Sequence, residues 1–248
     1  MRRKNIVLSV FVFCFLLMIS ACGQVNRYKK FSKDDQNLSW SGKRKRSFGD
    51  SDYSNLKNEK EALALLQDKY QLVLPEYYEA TKKMLGKELT SDTVKEGTAK
   101  YSLFTRNKEL KFHTIYPYYK GEELQAFSEV IITYAYLIDK EQAYVKSQVV
   151  TVKISQINGK LPNDNLNELI KAVGTNMKLT DKQITSGLAG YDLKIKESKT
   201  PITDDYLPIV SNSSGLYKDQ ELLKEIAAVY DQSGNFRELY AEVSDQID

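Results

Sequence analysis

Apolar positions along this chain recur with two different periods, and the switch between them outlines the elements. Leu63, Leu66, Tyr70 and Val73 follow a helical spacing, with Asn58 placed to cap the first turn and Glu61 three residues on. Pro75 interrupts, and the stretch from Pro75 to Gly86 reads as a second helix with Pro at its first position and Gly as its stop. The period then drops to two. Tyr101, Leu103 and Thr105 alternate on one face, a polar turn spans Arg106 to Glu109, and Leu110, Phe112, Thr114 and Tyr116 resume the alternation, which predicts a hairpin. Val130 to Ile138 is apolar on both faces, as in a central, doubly covered strand. A second long run from Tyr144 to Ile154 follows the Asp139 to Gln142 turn, and Asn158-Gly159 marks a turn at its end.

Beyond that point the pattern predicts a helix closed by Gly174, a weaker helical turn over 181–190, and a half-buried strand through Tyr191, Leu193 and Ile195. Pro201 and Pro208 punctuate a loop. Leu222, Ile226 and Val229 are spaced for a helix starting near Lys218, and Phe236, Leu239, Tyr240 and Val243 repeat that spacing. Helices, then strands, then helices imply an α+β fold: an antiparallel sheet of about five strands flanked by helices at both ends, in a single domain over 56–248.

The first thirty residues have no such period. Arg2, Arg3 and Lys4 precede an apolar run from Ile6 to Ile19, which as a helix spans roughly 21 Å against about 30 Å of bilayer hydrocarbon. The order of a basic region, an apolar region and small residues is that of a secretory signal. Ile19-Ser20-Ala21-Cys22 resembles the lipobox of bacterial lipoproteins, with Ile19 where that family usually has Leu. The resemblance implies cleavage after residue 21, a diacylglyceryl thioether on Cys22, and a mature protein anchored in the bilayer by two acyl chains, which hold stably where one holds marginally. Cys14 would leave with the signal, so the mature chain would have no free thiol and no disulfide.

Charge sharpens the division. Residues 1–50 contain eleven Lys and Arg and three Asp, a net charge of +8, while the whole chain carries only +3, so the remainder sums to −5. The polar stretch 22–55 reads as a lipidated, flexible basic tether with a root-mean-square span of roughly 30 Å. Within it Lys43, Arg44, Lys45 and Arg46 form either a patch for an anionic membrane surface or a solvated run that keeps the linker extended. Trp40, the one tryptophan, either rests in the membrane interface or folds back on the domain.

Catalytic signatures are missing from the sequence. It contains no phosphate-binding glycine loop, no dinucleotide fingerprint and no nucleophile elbow. With His113 the single histidine and no available thiol, Ser-His-Asp, Cys-His and His-rich zinc sites are excluded for one chain. His113 itself is out of phase with Phe112 and Thr114 and reads as an exposed or hydrogen-bonded strand residue. The acid pairs Asp204-Asp205 and Glu122-Glu123 read as caps or solvated loops. Asp231, Ser233, Asn235 and Glu242 match a calcium-loop spacing, but Phe236 stands where that loop needs Gly, so no metal and no cofactor is expected. Seventeen tyrosines remain, and Tyr116, Tyr118 and Tyr119 around Pro117 are either a binding surface or aromatic packing at a sheet edge.

The expectation for function is a non-enzymatic binding or accessory module of the cell envelope, anchored through Cys22 and facing outside the cytoplasm of a Gram-positive type cell. Its expected partners are the bilayer and an envelope protein or glycan, not nucleic acid. The alternatives are a solute-binding lipoprotein of a transporter and an envelope hydrolase working through carboxylates alone.

Overall fold

A computed structural model describes residues 31–155, 161, 165–198, 202–203, 205–212 and 222–245. Among the described residues ten strands, all paired antiparallel, form one sheet: β1 (Ser41–Lys43), β2 (Ser51–Leu56), β3 (Val94–Glu96), β4 (Lys100–Arg106), β5 (Glu109–Lys120), β6 (Glu123–Leu137), β7 (Gln142–Ile154), β8 (Tyr206–Ser211), β9 (Leu223–Tyr230) and β10 (Phe236–Ser244). The main path runs β2-β4-β5-β6-β7-β10-β9-β8. Two short strands extend it: β3 continues the line of β4 along β5, and β1 continues the line of β10 along β7. Among the described residues five α-helices accompany the sheet: α1 (Lys33–Asn37), α2 (Glu59–Ala64, prolonged by a wider turn over Leu65–Lys69), α3 (Glu76–Glu88), α4 (Leu166–Asn176) and α5 (Asp181–Glu197).

Strand alternation sorts the side chains into two faces. Leu103, Phe112, Val130, Ile132, Val150, Val152, Ile226, Leu239 and Ala241 point to one side, each nearly or fully out of solvent, and each such Leu, Ile, Val or Phe contributes about 1.5–3 kcal/mol. All five described helices make their contacts with that side. Tyr78 of α3 stands edge-on to Phe112, its hydroxyl within 3.0 Å of the Tyr116 hydroxyl and 3.2 Å of Thr114 Oγ1. The Ile184 side chain of α5 packs on Gly174 of α4, with Ile226 beneath. Gly187 lets α5 approach β8 closely, since a Cβ there would sit 2.6 Å from the Ile209 carbonyl oxygen. Pro208 in edge strand β8 interrupts the row of donors that would invite a further strand.

Several expectations are corrected here. The sheet has ten strands rather than about five, and the described C-terminal residues include no flanking helix: 223–230 and 236–244 are β9 and β10. Leu222, Ile226 and Val229 satisfy a helical period, but Lys224, Ile226, Ala228 and Tyr230 satisfy a period of two equally well. In β10, Leu239, Ala241 and Val243 are buried while Glu238, Tyr240 and Glu242 face the other side. Pairing to the exposed edge of β7 decides between the two periods. The opposite error occurs at 191–195. This segment ends α5, which a Thr180–Gln183 capping box starts and in which Ile184, Leu188 and Tyr191 line the buried stripe; Leu193 and Ile195 are 53% and 39% exposed.

The stretch read as a flexible tether to residue 55 is ordered structure from Phe31 on. Asp35 in α1 pairs with Lys224 of β9 at 2.8 Å, both side chains more than nine-tenths buried. Gln148 Nε2 donates to the Leu38 carbonyl, and the Trp40 ring stands edge-on to Tyr134 at 6.0 Å. Composition averaged over the segment hides these anchors: Phe31, Leu38 and Phe48 are each at most 5% exposed, so a few apolar residues suffice when the sheet supplies the rest of the surface.

Candidate functional site

The second face of the sheet carries no helix contact among the described residues, and its side chains follow from the register. Across the middle of it run Ile115, Glu129, Thr151 and Tyr240; one row on, Pro117, Phe127, Lys153 and Glu238; on the other side, His113, Ile131, Val149 and Glu242. Glu129 is the hub. Its Oε2 accepts from Lys153 Nζ at 3.0 Å and from Thr151 Oγ1 at 3.2 Å, and its Oε1 lies 4.0 Å from His113 Nε2. Lys153 also reaches Glu238 Oε2 at 3.9 Å and lies over the Phe127 ring, 5.8 Å from its centre. Tyr240 donates to Glu242 and stands edge-on to Tyr206, which is 41% exposed at the rim.

These groups are shaded without being sealed, with 18–31% of each side chain exposed for Glu129, Glu238, His113 and Lys153. Burial lowers the His113 pKa, with Glu129 pulling the other way, so the ring is neutral at neutral pH. Burial, aided by the charge of Glu129, raises the Glu238 carboxyl, and Lys153 opposes it. One ammonium thus bridges two carboxylates on neighbouring strands. The hydrogen bonds and ion pairs hold these side chains in fixed positions on the sheet. Aromatic rings, Phe127, Tyr206 and Tyr240, surround this ion-paired centre.

The residues singled out in the sequence lie elsewhere. Tyr116 and Tyr118 point into the core, 1% and 0% exposed, Tyr118 with its hydroxyl 3.2 Å from Ser128 Oγ; burial pushes both phenols far up. They are packing, and only Tyr119 is on the second face, lying across Gly97 where a Cβ would be 2.7 Å from its ring. Of the basic run, Lys43, Lys45 and Arg46 are exposed, whereas Arg44 turns inward: Nη1 donates to the Tyr70 carbonyl at 2.6 Å and the guanidinium lies over Phe48 at 4.4 Å. Asp231 closes the β9–β10 turn, accepting from Ser233 N and Asn235 N at 2.8 and 2.9 Å around Gly234 at φ 78°; these backbone donors lower its pKa. Among the described residues no group of three or more His, Cys, Asp or Glu side chains is arranged to hold a metal ion. Cys22 lies outside the described residues, as do Asp204 and the Asn158-Gly159 turn.

Glu129, Lys153 and Glu238 were missed from sequence for two reasons. Glu129 lies in a run dominated by apolar residues, and Glu238 and Tyr240 fall in the segment whose period was read as helical. The usable signal was the phase of 127, 129 and 131 against 126, 128 and 130.

Helix and sheet surfaces also differ in shape. Between α3 and α4 lies a groove of about 770 Å³ lined in part by Lys83, Lys87, Lys171 and Lys178. No helix among the described residues is long and apolar enough to cross a membrane. The described residues make a mostly antiparallel, ten-stranded sheet with a few helices layered on one side. No protein-family model, curated protein or solved structure matches the chain.

Proposed function

We propose that the protein is a membrane-anchored, extracytoplasmic lipoprotein that works as a non-enzymatic binding module, held to the bilayer through Cys22 and taking an envelope protein on its open sheet face. The observation that carries the reading is the half-buried Glu129–Lys153–Glu238 network with Phe127, Tyr240 and Tyr206 around it, on the side of the sheet opposite the helices. The anchor rests on the Ile19-Ser20-Ala21-Cys22 resemblance and the preceding apolar run.

Two measurements test it. Mass spectrometry of the mature N-terminus should find a lipid-modified Cys22, and Cys22→Ala should release the protein from membranes; a mature chain starting elsewhere ends the anchoring reading. A photocrosslinking residue placed at Tyr240 in intact cells should give one discrete protein adduct, while the same residue at Lys60 on α2 gives none. A glycan ladder, no adduct, or equal adducts at both positions would contradict it.

A further inference from the structure

The ordered start of the chain changes how an anchored body would sit. Between Cys22 and Phe31 there are nine residue steps, an interval that spans at most about 30 Å fully extended and about 16 Å as a random coil. From Phe31 the chain is fixed: α1 is pinned by the Asp35–Lys224 pair at the start of β9, and the segment after it runs along the start of β7. Both strand starts are at the same end of the sheet, so a lipid on Cys22 would hold that end near the headgroups.

Three loops are stitched together at this end. The strap after β1 meets the β4–β5 turn through Phe48 N to Asn107 O at 2.8 Å and Asn107 N to Gly49 O at 3.0 Å. It meets the β6–β7 turn through Arg44 N to Glu141 O at 2.7 Å, and Tyr136 N to Lys108 O at 2.8 Å joins the two turns. The loops bring together six exposed cations, Lys43, Lys45, Arg46, Arg106, Lys108 and Lys140, against the exposed carboxylates Asp50, Asp139 and Glu141. Ile138, 54% exposed, projects from the same end. At the opposite end the β5–β6 turn carries Glu122 and Glu123 beside Lys120, and the β9–β10 turn carries Asp231.

We infer that this end of the sheet is a docking surface for the anionic face of a lipid bilayer, so that the body lies oriented against the membrane instead of swinging on a long tether. The inference rests on the anchoring reading for its biological setting, but the surface itself is testable without the lipid. Cations of this kind are attracted to an anionic surface, and salt screens that attraction over about 10 Å at 0.1 M. Only part of the basic run takes part, since Arg44 is committed to the fold, and Arg106, Lys108 and Lys140 come from turns far away in sequence.

The test uses the mature chain from residue 22 with Cys22→Ser, which has no acyl chain, and vesicles of phosphatidylglycerol or of neutral phosphatidylcholine. The chain should cosediment with the anionic vesicles at low salt, release as salt is raised, and leave the neutral vesicles alone. The triple variant Lys45→Glu, Arg46→Glu, Lys108→Glu should weaken binding by at least tenfold. The matched variant Lys83→Glu, Lys171→Glu, Lys178→Glu in the α3–α4 groove should bind as the parent does, and all three proteins should share one circular-dichroism spectrum and melting temperature. No binding to anionic vesicles, equal binding to neutral ones, or equal loss in both triple variants overturns the inference, while a mature N-terminus without lipid would remove the anchor and leave these binding results standing.

Discussion

Replacing Asp35 with Ala should unfold the protein at a markedly lower temperature, although Asp35 lies in a five-residue helix that composition alone assigns to a linker. The carboxylate is 2.8 Å from Lys224 Nζ, and the two side chains are 8% and 9% exposed. Removing one partner of such a pair strands the other charge away from water, which costs about 3–5 kcal/mol. For a domain of this size each kcal/mol shifts Tm by roughly 2–4 °C, so Asp35→Ala should lower Tm by about 6–20 °C. Part of the Lys224 charge can turn to the Lys178 carbonyl, 3.4 Å away, which argues for the lower half of that range. The double change Asp35→Leu, Lys224→Met removes both charges and should recover most of the loss, since an apolar pair of similar volume replaces a desolvated ion pair at little net cost. Thermal unfolding of the mature chain followed by circular dichroism, in a double-mutant cycle, measures both quantities. A shift under 2 °C for Asp35→Ala, or simple additivity of the two single changes, would refute the reasoning and with it the docking of the N-terminal segment.

The remaining predictions concern the open face and the helix layer. Because burial lowers the His113 pKa from 6.5, the unfolded chain takes up a proton before the folded one does; the stability contributed by the neutral ring is full above pH 6.5 and is lost as pH falls through the folded value. Urea unfolding at pH 7 and about pH 5.5 should therefore show a smaller drop for His113→Gln than for the parent. Gly187→Ala should cost about 1–3 kcal/mol in the same assay, since the new methyl would lie 2.5 Å from Val210 Cγ2 and 2.6 Å from the Ile209 carbonyl oxygen, forcing α5 away from β8.

Where local signals were unopposed, the sequence is a good guide to the fold. The Asn58 cap accepts from Glu61 N at 3.0 Å and the hairpin turns at Asn107; the run read as a doubly covered strand over Val130–Ile138 is central, paired on both edges, but ends at Leu137 and is covered by helices on one face only among the described residues. It misleads where one set of residues fits two periods, as in β9 with its adjacent Ala227 and Ala228, and where alternation is accidental, as in Leu193 and Ile195 at the outer surface of α5. For β10 the outcome depends on the available edge of β7, carried by residues nearly a hundred positions away. The open face is poorly legible for a related reason: Glu129, Lys153 and Glu238 come from three strands and acquire meaning only through register. The tyrosine cluster shows the converse, since Tyr116 and Tyr118 look like a contact surface in one dimension and are the interior of a hydroxyl network in three.

The side-by-side placement of β1 and β10 along β7 bears on the order in which the fold closes. In a chain made from its N-terminus, Lys224, the partner of Asp35, comes late, and β1 lies in line with β10 only once that last described strand is in place. Closure of such distant contacts comes late. Residues 31–43 thus become locked against the sheet only when almost the whole polypeptide is available to pair.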